Sequence, residues 1–156
     1  FCSTKTFNNF MQENPDAYPC SCFITIDKIG KDNEFHFDYF LPSLKKMVSF
    51  RMEDEIQQIP VEIIGDKIPE KIGLSYDLDF EEVMEEIEQE AEKNNIKQKI
   101  QKFIFSMQKL DGRDYLVGTI FISTLGMLKV NYDIAEKKIT EFEKKSFFDM
   151  VSVFKK

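Results

Sequence analysis

Tryptophan is absent, histidine occurs once, at His36, and glycine appears only six times in 156 residues. Each shortage removes a class of function. A single imidazole cannot complete a multi-histidine metal site. The isolated glycines form neither a Gly-x-Gly-x-x-Gly turn nor a Walker loop, so nucleotide binding through those devices is not expected. Three cysteines cannot build a full disulfide framework, and Cys20 and Cys22 stand one residue apart rather than at the Cys-x-x-Cys spacing of redox and zinc motifs. They read as inert, reduced thiols of a cytoplasmic protein. Basic side chains are outnumbered 21 to 28, a formal net charge of −7. That balance argues against nucleic acid, whose phosphates call for clustered Lys and Arg. No run approaches the roughly 20 apolar residues of a membrane span, so no membrane partner is expected.

What is present is a core. Sixteen Phe and 42% hydrophobic residues, in a chain of ordinary domain length, are enough to fold without metal or disulfide. The whole chain, 1–156, is therefore read as one domain.

Alternation dominates both ends. Tyr18 to Ile26 and Glu34 to Phe40 flank the polar stretch Gly30-Lys31-Asp32-Asn33, which predicts a β-hairpin, and Lys46 to Arg51 extends it to a meander. In the second run Phe35, Phe37 and Tyr39 share one face and His36 and Asp38 the other, as in a half-buried strand. Tyr115 to Ser123 and Met127 to Ile134 predict a second hairpin. Tyr18 aligns with Tyr115, and Phe35-x-Phe37-Asp38-Tyr39 with Leu128-x-Val130-Asn131-Tyr132. Phe7, Met11 and Gln12 share their spacing with Phe103, Met107 and Gln108. An internal duplication, with units of about 5–52 and 101–143 each made of a helix and a meander, accounts for these matches.

Between the units lies a connector whose Pro60 and Pro69 argue against a central strand. Asp77 or Asp79 then caps a helix with Glu81 and Glu82 in its first turn, and Phe80, Val83, Met84, Ile87 and Ala91 form its buried stripe. A further stripe, Ile96, Ile100, Phe103, Ile104 and Met107, predicts a second helix ending at Asp111-Gly112. The alternative is a strand over Phe103 to Leu110 with Asp111-Gly112 as its hairpin turn. Phe147, Met150, Val151 and Phe154 predict a tail helix packed on the sheet. The expected fold class is α+β, antiparallel meanders covered by helices.

No residue set reads as catalytic, and neither a metal nor a cofactor is implied. His36 beside Asp38 could orient a base, and Cys20 or Cys22 could face His36 across the hairpin, but no nucleophile motif accompanies them. The bland readings, a surface histidine and packed thiols, are preferred. The lysine pairs Lys45-Lys46, Lys137-Lys138, Lys144-Lys145 and Lys155-Lys156 read as solvated residues that blunt sheet edges.

The acidic helix carries the functional expectation. Like charges at i, i+4 repel by a few tenths of a kcal/mol each, so a face of one sign is mildly costly and suits steering of a basic protein partner. Calcium is a poor alternative, because glutamates strung along a helix do not converge on one ion. Glu81, Glu85, Glu88 and Glu92 are the candidate partner-binding carboxylates, with Tyr39 and Tyr132 as amphipathic anchors. A structural subunit of a larger assembly and a carrier of a small apolar ligand are the rival functions.

In its order of elements the chain resembles the YezG-type immunity proteins. The likeness runs through a first helix, Tyr18…Phe23-Ile24-Thr25-Ile26, Glu34-Phe35-His36-Phe37-Asp38-Tyr39, an acidic helix, and Tyr115…Thr119-Ile120-Phe121-Ile122-Ser123 followed by Met127 to Asp133. Tyr18 and Tyr115 stand where members of that family tend to carry Trp. The resemblance implies a small acidic bacterial protein that neutralises a toxin, commonly a nuclease, made by the same cell.

Overall fold

A computed structural model describes residues 4–52, 56–61 and 66–146. Helix α1 spans Lys5–Glu13 and is followed by strands β1 (Tyr18–Asp27), β2 (Glu34–Leu41), β3 (Lys46–Met52) and β4 (Ile56–Val61). Helix α2 spans Phe80–Lys93 and is followed by β5 (Ile100–Leu110), β6 (Arg113–Ile122), β7 (Gly126–Asp133) and β8 (Lys138–Ser146). All eight strands join one antiparallel sheet in the order β4-β3-β2-β1-β5-β6-β7-β8. Each meander is thus laid outward from its first strand, and the two first strands meet in the middle, with Ile24 opposite Phe105. The molecule is α+β with the sheet dominant. Pro60 sits on the edge strand β4, where a missing N–H need not interrupt a ladder.

Both helices cover the same face. On α1, Phe7 and Phe10 reach down to Tyr39, Leu41, Val48 and Phe50. On α2, Val83, Ile87 and Ala91 pack over Phe103, Leu116, Ile120, Leu128 and Val130. Helix starts follow from side-chain capping: the Thr4 hydroxyl accepts from the Phe7 N–H at 3.4 Å, and the Asp79 carboxylate accepts from the Glu81 N–H at 2.9 Å.

The second predicted helix is a strand. Residues from Ile100 to Leu110 form β5, and Asp111 (φ 49°) with Gly112 (φ 77°) makes the two-residue turn into β6. Positive φ at both positions matches the hairpin turn that favours an Asp-Gly pair. A bulge explains the misleading spacing. The register slips between Ile100 and Lys102, so Ile100 and Phe103 both face the covered side while Ile104 faces the other. An inserted residue turned a period of two into an apparent helical period. Consequently Phe103, Met107 and Gln108, which the sequence aligns with residues of a helix, lie in a strand, and it is α2 that precedes the second set of four strands. The tail helix expected beyond Ser146 lies outside the described residues.

Candidate functional site

The outer surface of α2 presents one sign of charge. Glu81, Glu82, Glu85 and Glu92 are exposed, and none of them forms an ion pair among the described residues. Two neighbours are neutralised within the fold. Glu88 pairs with Lys28, whose ammonium also lies 5.3 Å from the centre of the Phe103 ring, and Glu90 pairs with Lys93 at 3.6 Å. Glu88 is therefore engaged in tying the β1–β2 loop to the helix, and the free face reduces to Glu81, Glu85 and Glu92 together with Glu82.

The two tyrosine anchors are not surface groups. Tyr39 and Tyr132 are each only 3% exposed and face the helices, Tyr39 beneath α1 and Tyr132 in the core under α2. Tyr39 meets the Phe7 ring edge-on at 5.3 Å. Burial raises the Tyr132 hydroxyl above its ordinary pKa, and Glu86 and Glu82 add to the shift. Strand alternation was read correctly, but which face the helices cover was not visible in it.

The face that neither helix covers carries a different set: Phe23, His36, Ile104, Tyr115, Val117 and Phe121. His36 stacks flat on Phe23, with centroids 5.1 Å apart and planes at 8°. Asp38 shares this face, and its carboxylate accepts from the Ser21 hydroxyl. The histidine and the thiols are not brought together: Cys22 pairs with Phe37 on the helix side, whereas His36 pairs with Phe23 on the open side. Burial, and secondarily Asp38, pushes both the Cys20 and Cys22 thiols up to about 12, so neither is a thiolate at neutral pH. No group of three or more metal-ligating side chains converges among the described residues. Lys138, Lys144 and Lys145 lie on edge strand β8 and Lys137 in the turn before it, as a blunted edge requires, whereas Lys45 sits in the β2–β3 turn and Lys46 on the interior strand β3. Lys155 and Lys156 lie outside the described residues.

Sequence reasoning missed one polar centre. Asp114, buried at the start of β6, accepts from the Gly73 N–H at 2.9 Å and from the Tyr76 hydroxyl, and it pairs with Lys109 at 3.2 Å. Burial pulls its carboxyl upward, but these three donors outweigh that and hold it below the ordinary aspartate value. The same bond to Asp114 pushes the Tyr76 phenol up to about 12. Together they strap residues 72–78 onto the sheet. Ile72 sits in the core and donates its N–H to the Pro19 carbonyl at 3.0 Å, while Tyr18 donates to the Pro69 carbonyl at 2.8 Å. Gly73 lets the Tyr76 ring come close, since a Cβ here would lie 2.8 Å from it and displace it from its place over Asp114. The only signal in the sequence was an Asp beside a hairpin turn, which is ordinary for a loop and gave no hint of burial.

No family model and no curated protein matches the chain. Among solved structures it is similar to the crystal structure of a Clostridium difficile 630 protein named "putative lipoprotein", with 11% identity, a TM-score of 0.64 and 90% of each chain covered. At that identity the likeness is one of fold.

Proposed function

We propose that the chain is a non-catalytic binding module that engages a basic protein partner through the outer face of α2. The carrying observation is the set of exposed carboxylates Glu81, Glu82, Glu85 and Glu92, unpaired among the described residues, along one side of a single helix. Their mutual repulsion is relieved when a cationic surface closes over them, and long-range attraction raises the encounter rate. In its sharpest form, which rests on the YezG-type resemblance, the partner is a nuclease toxin and the glutamates stand in for the phosphates of its substrate. Glu88 has a smaller part, because Lys28 already holds it.

The same reading treats the fold as a duplication. A helix followed by four outward-laid strands occurs twice, which supports a duplication whose second unit begins at α2 rather than near residue 101, where the residues form β5 instead of a helix. It also places the protein in the cytoplasm, a setting that suits the free thiols Cys20 and Cys22. A second location, export and attachment at a membrane surface, is favoured by the name of the Clostridium difficile protein that shares the fold. Fractionation of the source cell separates the two.

The test of the function is a charge reversal. Immobilised protein should retain a partner of high isoelectric point from its own source cell. The Glu81→Lys, Glu85→Lys, Glu92→Lys triple variant should associate with that partner at least tenfold more slowly and with a flatter salt dependence. Equal association rates for the two proteins across 0.05 to 0.5 M salt, values of about this order spanning Debye lengths from well above to well below 10 Å, would rule the acidic face out.

A further inference from the structure

The helix-covered face holds two cores with a gap between them. Phe7, Phe10, Tyr39 and Phe50 form one under α1, the α2 stripe and the sheet below it form the other, and Phe37 packs against both. Neither α1 nor α2 spans the gap. It is roofed by the strap that runs from Ile72 to the start of α2, and beneath that roof is a crevice of about 150 Å³. Its floor is Cys22, Ile24, Phe35, Phe37 and Met107, and its roof is Gly73, Leu74, Tyr76, Leu78 and Phe80.

We propose that this crevice is a binding site for a compact apolar molecule about the size of one aromatic ring. Size, lining and incomplete burial all point the same way. Natural interiors hold few voids larger than a water, and this one equals about five times the ~30 Å³ that a water occupies in the liquid. An enclosed apolar cavity of about this volume accepts benzene, and this crevice offers a similar apolar lining although its mouth opens to solvent beside Leu74. Water would find few partners here. The lining side chains are apolar apart from a thiol and a phenol, and the Tyr76 hydroxyl already donates to Asp114. The upward shift of the Cys22 thiol is consistent with so dry a floor.

Burial along β2 shows what a ligand would add. Tyr39 and Leu41 are 3% and 4% exposed, whereas Phe35 and Phe37, on the same face nearer the crevice, are only half-buried. Leu74, on the roof, is 46% exposed. Each such surface gains roughly 25 cal/mol per Å² when an apolar group covers it. The roof is hinged on polar bonds rather than on packing of its own outer side chains. The mouth of the crevice is open beside Leu74 and Tyr76, which are 46% and 38% exposed, and the Gly73 and Tyr76 bonds to Asp114 hold the roof over the floor, with Ile72 as the anchor in the core.

This site is separate from the acidic face, and its test does not involve a protein partner. Toluene, titrated into the full chain and followed by amide chemical shifts, should give saturable changes centred on Cys22, Phe35, Leu78 and Met107. Leu78→Trp, which fills the crevice from the roof, should weaken toluene binding at least tenfold. Leu74→Trp replaces a largely exposed side chain, leaves the core untouched and should do the same if Leu78→Trp does not fold. The Glu81, Glu85, Glu92 reversal should leave toluene binding unchanged. Absence of saturable shifts up to the solubility of toluene, or equal affinity in the wild type and a folded tryptophan variant, overturns the proposal.

Discussion

The two halves of the covered face solve one packing problem with different side chains. Helix α1 has nine residues and buries two, Phe7 and Phe10, which meet Phe50 edge-on at 5.6 and 4.9 Å, with Tyr39 completing the cluster. Helix α2 has fourteen residues and buries three smaller ones, Val83, Ile87 and Ala91, over a largely aliphatic floor. A short helix offers few contact points, so each must bring a large ring whose edge and face can interlock with others. A longer helix distributes its contacts and comes down close on small side chains. Stability in the first half is thus concentrated in a few rings, and in the second it is spread along a stripe.

That contrast can be broken most directly at Phe50, which is fully buried and touches three other rings. Phe50→Ala should cost about 3–5 kcal/mol, read as a fall in the urea midpoint. Ile87→Ala, its counterpart under α2, should cost less, about 2–3 kcal/mol, because neighbours along the stripe share the load. If Ile87→Ala proved the more damaging of the two, the concentrated-versus-distributed description would fail.

Asp114 sharpens the comparison, since it fixes the strap that lies between the halves. Asp114→Asn should destabilise by about 1–3 kcal/mol at neutral pH. The sign with pH follows from its depressed folded pKa: the contribution is complete above the ordinary aspartate value of 3.8 and disappears as pH falls through the lower folded value. The variant should therefore show a shallower loss of stability below about pH 4 than the wild type in urea titrations at stepped pH. Equal acid limbs would remove Asp114 from the account.

The helix starts give the smallest differences. Asp79→Ala should cost about 1 kcal/mol, and Thr4→Ala somewhat less, because the Asp79 carboxylate sits closer to its N–H and also favours the positive end of the helix. Thermal melts of the two variants would rank them. Lys28→Ala, which frees Glu88, should change stability by no more than about 1 kcal/mol, as expected for a pair that is more than a third exposed on both sides.

Much of this architecture is legible in the sequence. Strands β2 and β7 are legible through alternation, β1, β3 and β6 as apolar runs bounded by turn residues, and α2 through its stripe and cap, with Asp79 rather than Asp77 in the capping position. β5 was misread because a bulge near Ile100 mixed two periods, a local event set by pairing with β6 that no single-strand pattern encodes. The central contact, β1 with β5, joins residues far apart in sequence and leaves no periodic trace. The glutamate face was visible because charge along a helix is a local property. Tyr39 and Tyr132 are buried and not surface anchors, because alternation shows that two faces exist but not which one a helix will cover.

The meeting of β1 with β5 also sets the order of events in folding. As the chain emerges, the first helix and its four strands can close local hairpins, yet β1 remains an open edge with Cys22 and Ile24 uncovered until β5 has been made. The chain from β2 through α2 must close into a loop before that pairing, so by contact order it is expected to form late, with the edge open to mispairing with another chain until then. A nascent protein halted before residue 100 would present that edge to its neighbours.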